Sequence, residues 1–351
     1  MPRPVPPAPA SRTVPAGLPE SDRKFFEASI RGSVAISAGD AAGAMEPLAE
    51  MHRLQPGHPQ LPQYVRVAAI VGFIYPGERS SYEPPPCEAP PSESVDLVAF
   101  HVDAPWTPHG GERVDYLGVL RQSFDAARLR APRARRILLT DEATRVPDTV
   151  GADEILRVPL DPSRLMYERM RAQAAYLERR EAGRASVLMD VDVVVNRDPA
   201  DCFTESFDVG LTYRMDAKDA PFNGGIILAA PGVAALAFTR RTLACYDALA
   251  ANELIGKLHA RVYPEDMRAW WGDQYAWFAS VGQRAFCTRA HEGLVVEGTR
   301  LAFYPCDDYN YTVASAEEAA SPALDAKRFL HFKGSRKPWI ADYLTAVKAR
   351  S

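Results

Sequence analysis

Residues 187–203 read VLMDVDVVVNRDPADCF. Val187, Leu188 and Met189 run into Asp190-Val191-Asp192, and three valines follow. A β-branched apolar run of this length reads as a strand buried on both faces. Side chains separated by one intervening residue on a strand point to the same side, so the spacing predicts that Asp190 and Asp192 share a face. Burying two unpaired carboxylates is very costly. A strand that delivers both to one spot therefore calls for a cation. Carboxylate oxygens suit Mg²⁺ or Mn²⁺, ions that bridge to substrate phosphates. The competing reading has one Asp capping a turn and the other paired with a basic residue.

Outward from this stretch, strand-length apolar runs alternate with amphipathic segments. VDLVAFHV (95–102), RRILLTD (135–141) and EILRVPL (154–160) read as strands, with helices near 112–130 and 163–182. This alternation predicts an α/β fold, a mostly parallel sheet flanked by helices, whose ligands bind at the carboxyl ends of the strands. After residue 205 the alternation becomes less regular. Towards the N-terminus, residues 75–94 hold six prolines and read as a linker or strap. Residues 21–74 carry apolar positions at helical spacing, a small helical hairpin resembling one tetratricopeptide-type unit, with Pro47 as a kink. We read it as a cap on the next domain or a contact for a homo-oligomer. Residues 1–20 hold seven prolines among small residues and read as a disordered arm. The expected domain is therefore 95–351.

Composition removes several classes. The chain has 351 residues, 47% hydrophobic and 25% charged, with a net charge of −4. That is a globular composition without the basic footprint of a general nucleic-acid binder. No apolar run is long enough to cross a bilayer. Five scattered cysteines show no metal-ligand pairs and no disulfide framework, and the Pro-rich start lacks a signal-peptide core. These point to the cytoplasm, with peripheral membrane docking left open.

Four segments, in order, resemble the GT-A glycosyltransferases, and family 8 of these nucleotide-diphospho-sugar transferases in particular. They are VLMDVDVVVNRDPADCF (187–203), FNGGIILA (222–229), WWGDQYAW (270–277) and FLHFKGSRKPW (329–339). The resemblance covers roughly 95–340 and implies a GT-A-type, Rossmann-like sheet. It implies a metal-dependent transfer, with retention of configuration, from a nucleotide-sugar donor, expected to be a UDP-sugar. The acceptor is left open among carbohydrate, lipid and peptide, with 205–222 and 256–272 as candidate acceptor regions. Asp190, Asp192 and His331 would hold Mn²⁺ or Mg²⁺. Asn223, Gly224, Gly225, Lys333, Gly334 and Lys337 would bind the donor. Asp273 would hold donor-sugar hydroxyls and Gln274 would lie beneath the anomeric carbon. His101 and Asp103, at the end of the first strand, would face the base. Tyr167-Glu168-Arg169-Met170 resembles the family's Tyr-x-Arg-Leu, so Arg169 would reach the metal carboxylates, with Arg171 as a competitor.

The residues support these assignments in their own terms. A neutral imidazole can complete the shell of an ion held by two carboxylates. Gly334 allows close backbone approach to a phosphate, and lysines offset its charge. Asp-x-Asp after a strand also resembles the first motif of haloacid-dehalogenase-type phosphatases, with Asp190 as nucleophile and Asp192 as general acid. Asp307-Asp308 is a poor match for that family's later acidic pair. A third reading is a non-catalytic scaffold that works through residues 21–74.

Overall fold

The computed structural model describes residues 17–37, 41–58, 61, 80–81, 94–103, 114–214, 222–251, 272–281 and 293–350. The chain divides into two compact units, Met1–Ile74 with Leu249–Glu265, and Tyr75–Ala248 with Asp266–Ser351. The first contains α1 (Glu20–Ser37) and α2 (Ala41–Leu54). Phe25, Ala28, Ala44, Leu48 and Met51 form its core. Pro47 lies inside α2, with its Cβ 3.6 Å from where a side chain at Gly32 would begin, so the two helices pack closely there.

The second unit is built on a mixed sheet. Its strands in chain order are β1 (Ser80–Ser81), β2 (Val95–Phe100), β3 (Arg135–Thr140), β4 (Glu154–Arg157), β5 (Ala185–Met189), β7 (Val209–Tyr213), β8 (Phe222–Ala229), β9 (Leu294–Val296) and β10 (Thr299–Pro305). In space the order is β1-β9-β10-β7-β8-β5-β2-β3-β4. The four strands β5-β2-β3-β4 are mutually parallel. They are linked by α3 (Tyr116–Arg130) and α4 (Leu165–Arg179), the crossover helices that parallel pairing requires. Beyond β5 antiparallel pairs enter: β8 runs against β5 and β7, and β9 against β10. The irregularity expected after residue 205 is this change of strand direction. Ser80–Ser81, inside the expected linker, pairs with β9 as an edge strand. Residues 82–93 and 1–16 lie outside the described residues.

A second, three-stranded sheet has the order β11-β12-β6, from β6 (Val193–Val195), β11 (Tyr311–Thr312) and β12 (Phe329–His331). Val194, Leu330, Phe332, Ile340, Tyr343 and Val347 pack it against the last helix, α7 (Trp339–Arg350). Two further helices of this unit are α5 (Ala234–Ala251) and α6 (Asp273–Val281).

This topology corrects the single strand expected over 185–195. β5 ends at Met189, Asp190–Asp192 forms a tight turn closed by Val193 N donating to Asp190 O at 3.1 Å, and β6 joins the other sheet. The two carboxylates therefore share a side because the chain turns between two sheets, not through strand alternation. The turn also puts β12 alongside. His331 pairs in register with Val193, and Phe332 N donates to Asp192 O at 2.9 Å.

One buried polar group sits at the far end of β2. Asp96 is fully buried and takes hydrogen bonds from Arg135, Arg184 and Tyr176. Burial alone would raise its pKa, but those three donors hold the carboxyl below its usual range.

Candidate active site

The β12–β6 register brings His331 from the end of the chain to the acidic turn. Its Nε2 lies 3.2 Å from Asp192 Oδ1 and 3.7 Å from Asp190 Oδ2. One ligand atom from each of the three residues fits within a 4.8 Å cluster. Ligands at 2.0–2.1 Å around an octahedral ion lie about 3 to 4 Å apart, so the spacing fits one shared cation. Two carboxylates and an imidazole are also the donor set that Mn²⁺ or Mg²⁺ accepts. Asp192 and His331 are buried, while the Asp190 side chain is 29% exposed, which leaves the cluster open on one side.

The far side of the imidazole explains why Nε2 faces the carboxylates. His331 Nδ1 is 2.8 Å from Asn310 Oδ1. Asn310 Nδ2 donates to Asn223 Oδ1 at 2.9 Å and to Thr212 Oγ1 at 3.1 Å. Both of those oxygens must accept: Asn223 Oδ1 already takes Gly225 N, and the Thr212 hydroxyl donates to Asn223 O. The Asn310 amide is thereby oriented with its oxygen towards His331. His331 Nδ1 is thereby the nitrogen that donates to Asn310, and Nε2 is the one turned towards Asp190 and Asp192. A ligating histidine is held this way, by a polar group on its other nitrogen. Nothing local in the sequence marks Asn310, which follows the helical turn Cys306–Tyr309; its role exists only because β8 and β12 meet.

Gly224 and Gly225 lie inside strand β8 with no positive φ. Their glycine identity is set by space rather than by backbone freedom. A Cβ at Gly225 would lie 2.5 Å from the His331 ring, and one at Gly224 2.5 Å from the Arg169 guanidinium and 2.6 Å from Trp277. The Asn223 carbonyl oxygen is consumed internally, so of its amide only the NH₂ has no bond among the described residues.

Arg169 links the acidic turn to α6. It donates to Asp190 Oδ1, to Asp273 Oδ2 at 2.9 Å and to Gly224 O at 3.3 Å. Arg171, the competitor, instead pairs with Glu168 and Pro159 O, away from the turn. Asp273 is the first residue of α6 and its Oδ1 accepts from Gln274 N at 2.7 Å. Burial raises the Asp273 pKa against the pull of Arg169. The Gln274 side chain has no hydrogen bond among the described residues.

Lys337 Nζ lies 2.9 Å from Asp192 Oδ2. Burial would raise the pKa of Asp192, but His331 and Lys337 hold its carboxyl well below the usual range. Gly334 has φ +59°, a left-handed conformation that favours glycine, and it turns the chain between His331 and Lys337. At the end of β2, His101 Nε2 is 3.2 Å from Asp103 Oδ1, and Asp103 N donates to Thr144 at 2.8 Å. This pair sits outside the metal cluster. Tyr116 lies between, its ring 6.0 Å from His101 and 5.5 Å from Lys337 Nζ. Trp270, Trp271, residues 215–221 of the first expected acceptor region and 256–271 of the second lie outside the described residues. Cys202, Cys245 and Cys306 are buried and free.

Because Asn310 fixes the imidazole, Asn310→Ala should weaken Mn²⁺ binding about 10- to 100-fold with little change in fold. Manganese titration followed by electron paramagnetic resonance checks this; unchanged affinity would remove Asn310 from the site.

No protein-family model matches the chain, and no curated protein matches it. Solved structures do. A galactosyltransferase, LgtC, in complex with donor and acceptor sugar analogs is 13% identical, with 72% of this chain and 95% of that one covered at a TM-score of 0.41. The glycosyltransferase GlyE of Streptococcus pneumoniae TIGR4 is 13% identical over 72% of this chain and 59% of its own, at 0.44. A glycosyltransferase involved in glycosylation of the major capsid of PBCV-1 is 13% identical over 70% and 98%, at 0.37. Among the described residues, no helix is long and apolar enough to cross a membrane.

Proposed function

We propose that the chain is a metal-dependent glycosyltransferase of the GT-A type, similar to family 8. It would move a sugar from a nucleotide-diphosphate donor, in the first instance a UDP-sugar, to an acceptor hydroxyl. The observation that carries this reading is the convergence of Asp190, Asp192 and His331 from two distant segments, with Lys337 and the Arg169–Asp273 pair around them.

In this reading Asp190, Asp192 and His331 hold Mn²⁺ or Mg²⁺. Bound there, the ion supplies Lewis-acid stabilisation of charge on a departing diphosphate. Lys337 adds a positive charge, and Gly334 lets the backbone approach a phosphate oxygen. Asn223, through its free amide NH₂, and Asp273 take sugar hydroxyls, with Arg169 fixing the Asp273 carboxylate and closing against Gly224. His101 and Asp103 lie where a strand end would meet the base.

The bond between the anomeric carbon and the phosphate oxygen breaks, and its electron pair stays with the phosphate. The acceptor oxygen bonds to the same carbon and its proton passes to the freed phosphate. Gln274 is a weak nucleophile, so we place attack on the face that the phosphate leaves, which retains configuration.

A thermal-shift screen of nucleotide sugars with Mn²⁺ is the first test. One UDP-sugar should raise the melting temperature by several degrees only with metal, since a ligand at a hundred times its Kd adds about 2.7 kcal/mol. Proton NMR of the transfer product should then show the donor's anomeric configuration. No stabilisation by any nucleotide sugar, or turnover of p-nitrophenyl phosphate instead, would contradict the reading.

A further inference from the structure

Asp190, Asp192 and His331 converge at the acidic turn, and the apolar residues of that turn pack on α3. Val191 shares a cluster with Leu120 and Phe124, and Val194 shares another with Val119 and Ala126. Ser123 is the polar member of this buried face of α3, and it is fully buried.

The strand register says why a polar group is needed there. Phe332 N donates to Asp192 O at 2.9 Å, so these two residues form a hydrogen-bonded pair at the start of the β6–β12 ladder. Antiparallel pairs alternate. At the next pair, Val193 and His331, the main-chain groups therefore point away from the partner strand. β6 is the outer strand of its sheet, so no further strand meets the N–H and C=O of Val193. The N–H donates to Asp190 O and closes the turn. The C=O accepts from the Ser123 hydroxyl. Val193 is fully buried, and a buried carbonyl left without a donor is costly. Hydroxyls inside helices commonly bond a carbonyl of the preceding turn, as Thr242 does with Phe238 O and Ser280 with Ala276 O. Ser123 instead gives its proton to the residue that follows Asp192 and stands opposite His331.

We propose that Ser123 is a positioning residue for the metal cluster. Its hydroxyl fixes the Val193 peptide, and through it the turn that presents both carboxylates to His331 Nε2. This rests on the shared-ion reading of the cluster. Without the bond, the Val193 peptide must find another donor, and the turn that it closes moves with it.

Manganese titration of the full chain, followed by electron paramagnetic resonance, tests this with Ser123→Ala and Ser123→Cys. The control is Thr242→Ala, which removes a buried hydroxyl that bonds its own helix. Thermal melts read folding. Ser123→Ala should bind Mn²⁺ about tenfold more weakly, the lower end of what changes around a metal's ligands cost. The spectrum of its bound ion should broaden as the ligand geometry loosens. Ser123→Cys, a weaker donor, should fall between the two. Thr242→Ala should lower the melting temperature and leave Mn²⁺ binding unchanged. Wild-type affinity and spectrum in Ser123→Ala overturn the proposal, and so does an equal loss of affinity in Thr242→Ala, which would mark general loosening. If Ser123→Ala does not fold, wild-type binding by Ser123→Cys overturns it instead. Absence of Mn²⁺ binding by the wild type would overturn the shared-ion reading together with the proposal. Mn²⁺ binding lost in Ser123→Ala, with no nucleotide bound by the wild type, would overturn the transferase reading alone.

Discussion

Asp192→Ala should abolish metal-dependent nucleotide binding: Mn²⁺ affinity falls at least a hundredfold and UDP binding in the presence of Mn²⁺ is lost with it. Asp192 is the buried member of the acidic pair, and it meets His331 Nε2 at 3.2 Å and Lys337 Nζ at 2.9 Å. Removing its carboxylate takes away one of three protein ligands. It also leaves the buried Lys337 ammonium without a counter-ion, with only Gly334 O to accept from it, and that charge repels an incoming cation. Changes one shell further out already cost 10- to 100-fold, so loss of a ligand must cost more. Asp192→Asn keeps the shape and loses the charge, and it should behave almost as badly. Calorimetry with Mn²⁺ and UDP together reads the effect, and a thermal melt shows that both variants fold. Equal UDP affinity in wild type and Asp192→Ala would remove Asp192 from metal binding.

The second large effect lies at the opposite end of β2. Asp96→Ala should cost about 3–5 kcal/mol of unfolding free energy, the usual consequence of removing one partner from a buried ion pair. Arg135 and Arg184 would lose their fully buried counter-ion and keep only Glu154 and Glu181 nearer the surface, and the buried Tyr176 hydroxyl would lose its 2.6 Å acceptor. The pH dependence has a definite sign. The folded-state pKa of Asp96 is lowered, so its contribution is present above the unfolded value of about 3.9 and disappears as pH falls through the folded value. Urea titrations should show the full gap between wild type and Asp96→Ala at pH 7, and a gap that closes in strong acid. A gap below about 1 kcal/mol at pH 7 would show that the network contributes little. Because Asp96 starts the strand that ends near His101, folded Asp96→Ala should bind Mn²⁺ and UDP as the wild type does.

The parallel half of the sheet was legible because β2, β3 and β5 are apolar runs separated by amphipathic helices, and burial on both faces leaves that pattern in the letters. The acidic pair was legible as chemistry but not as geometry. A run of valines on either side of Asp190-Val191-Asp192 reads as one strand, and nothing local says that the chain turns there into a second sheet. His331 could be named from its motif, yet only the pairing of β12 with β6 sets it against Asp192. Asn310 and Thr212 carried no signal. Both matter through contacts between segments far apart in sequence, and a single Asn or Thr there is unremarkable in composition. The reason for Gly225 was equally hidden: a glycine before an apolar run suggests a turn, whereas here it makes room for an imidazole ring 2.5 Å from where its Cβ would stand.

Anomalous diffraction from crystals grown with Mn²⁺ and UDP tests the shared-ion site most directly. The account predicts one strong manganese peak about 2.0–2.3 Å from an oxygen of Asp190, an oxygen of Asp192 and His331 Nε2 together, with density for the diphosphate on its open side. A manganese peak away from those three atoms, or UDP bound with no metal beside them, would contradict it.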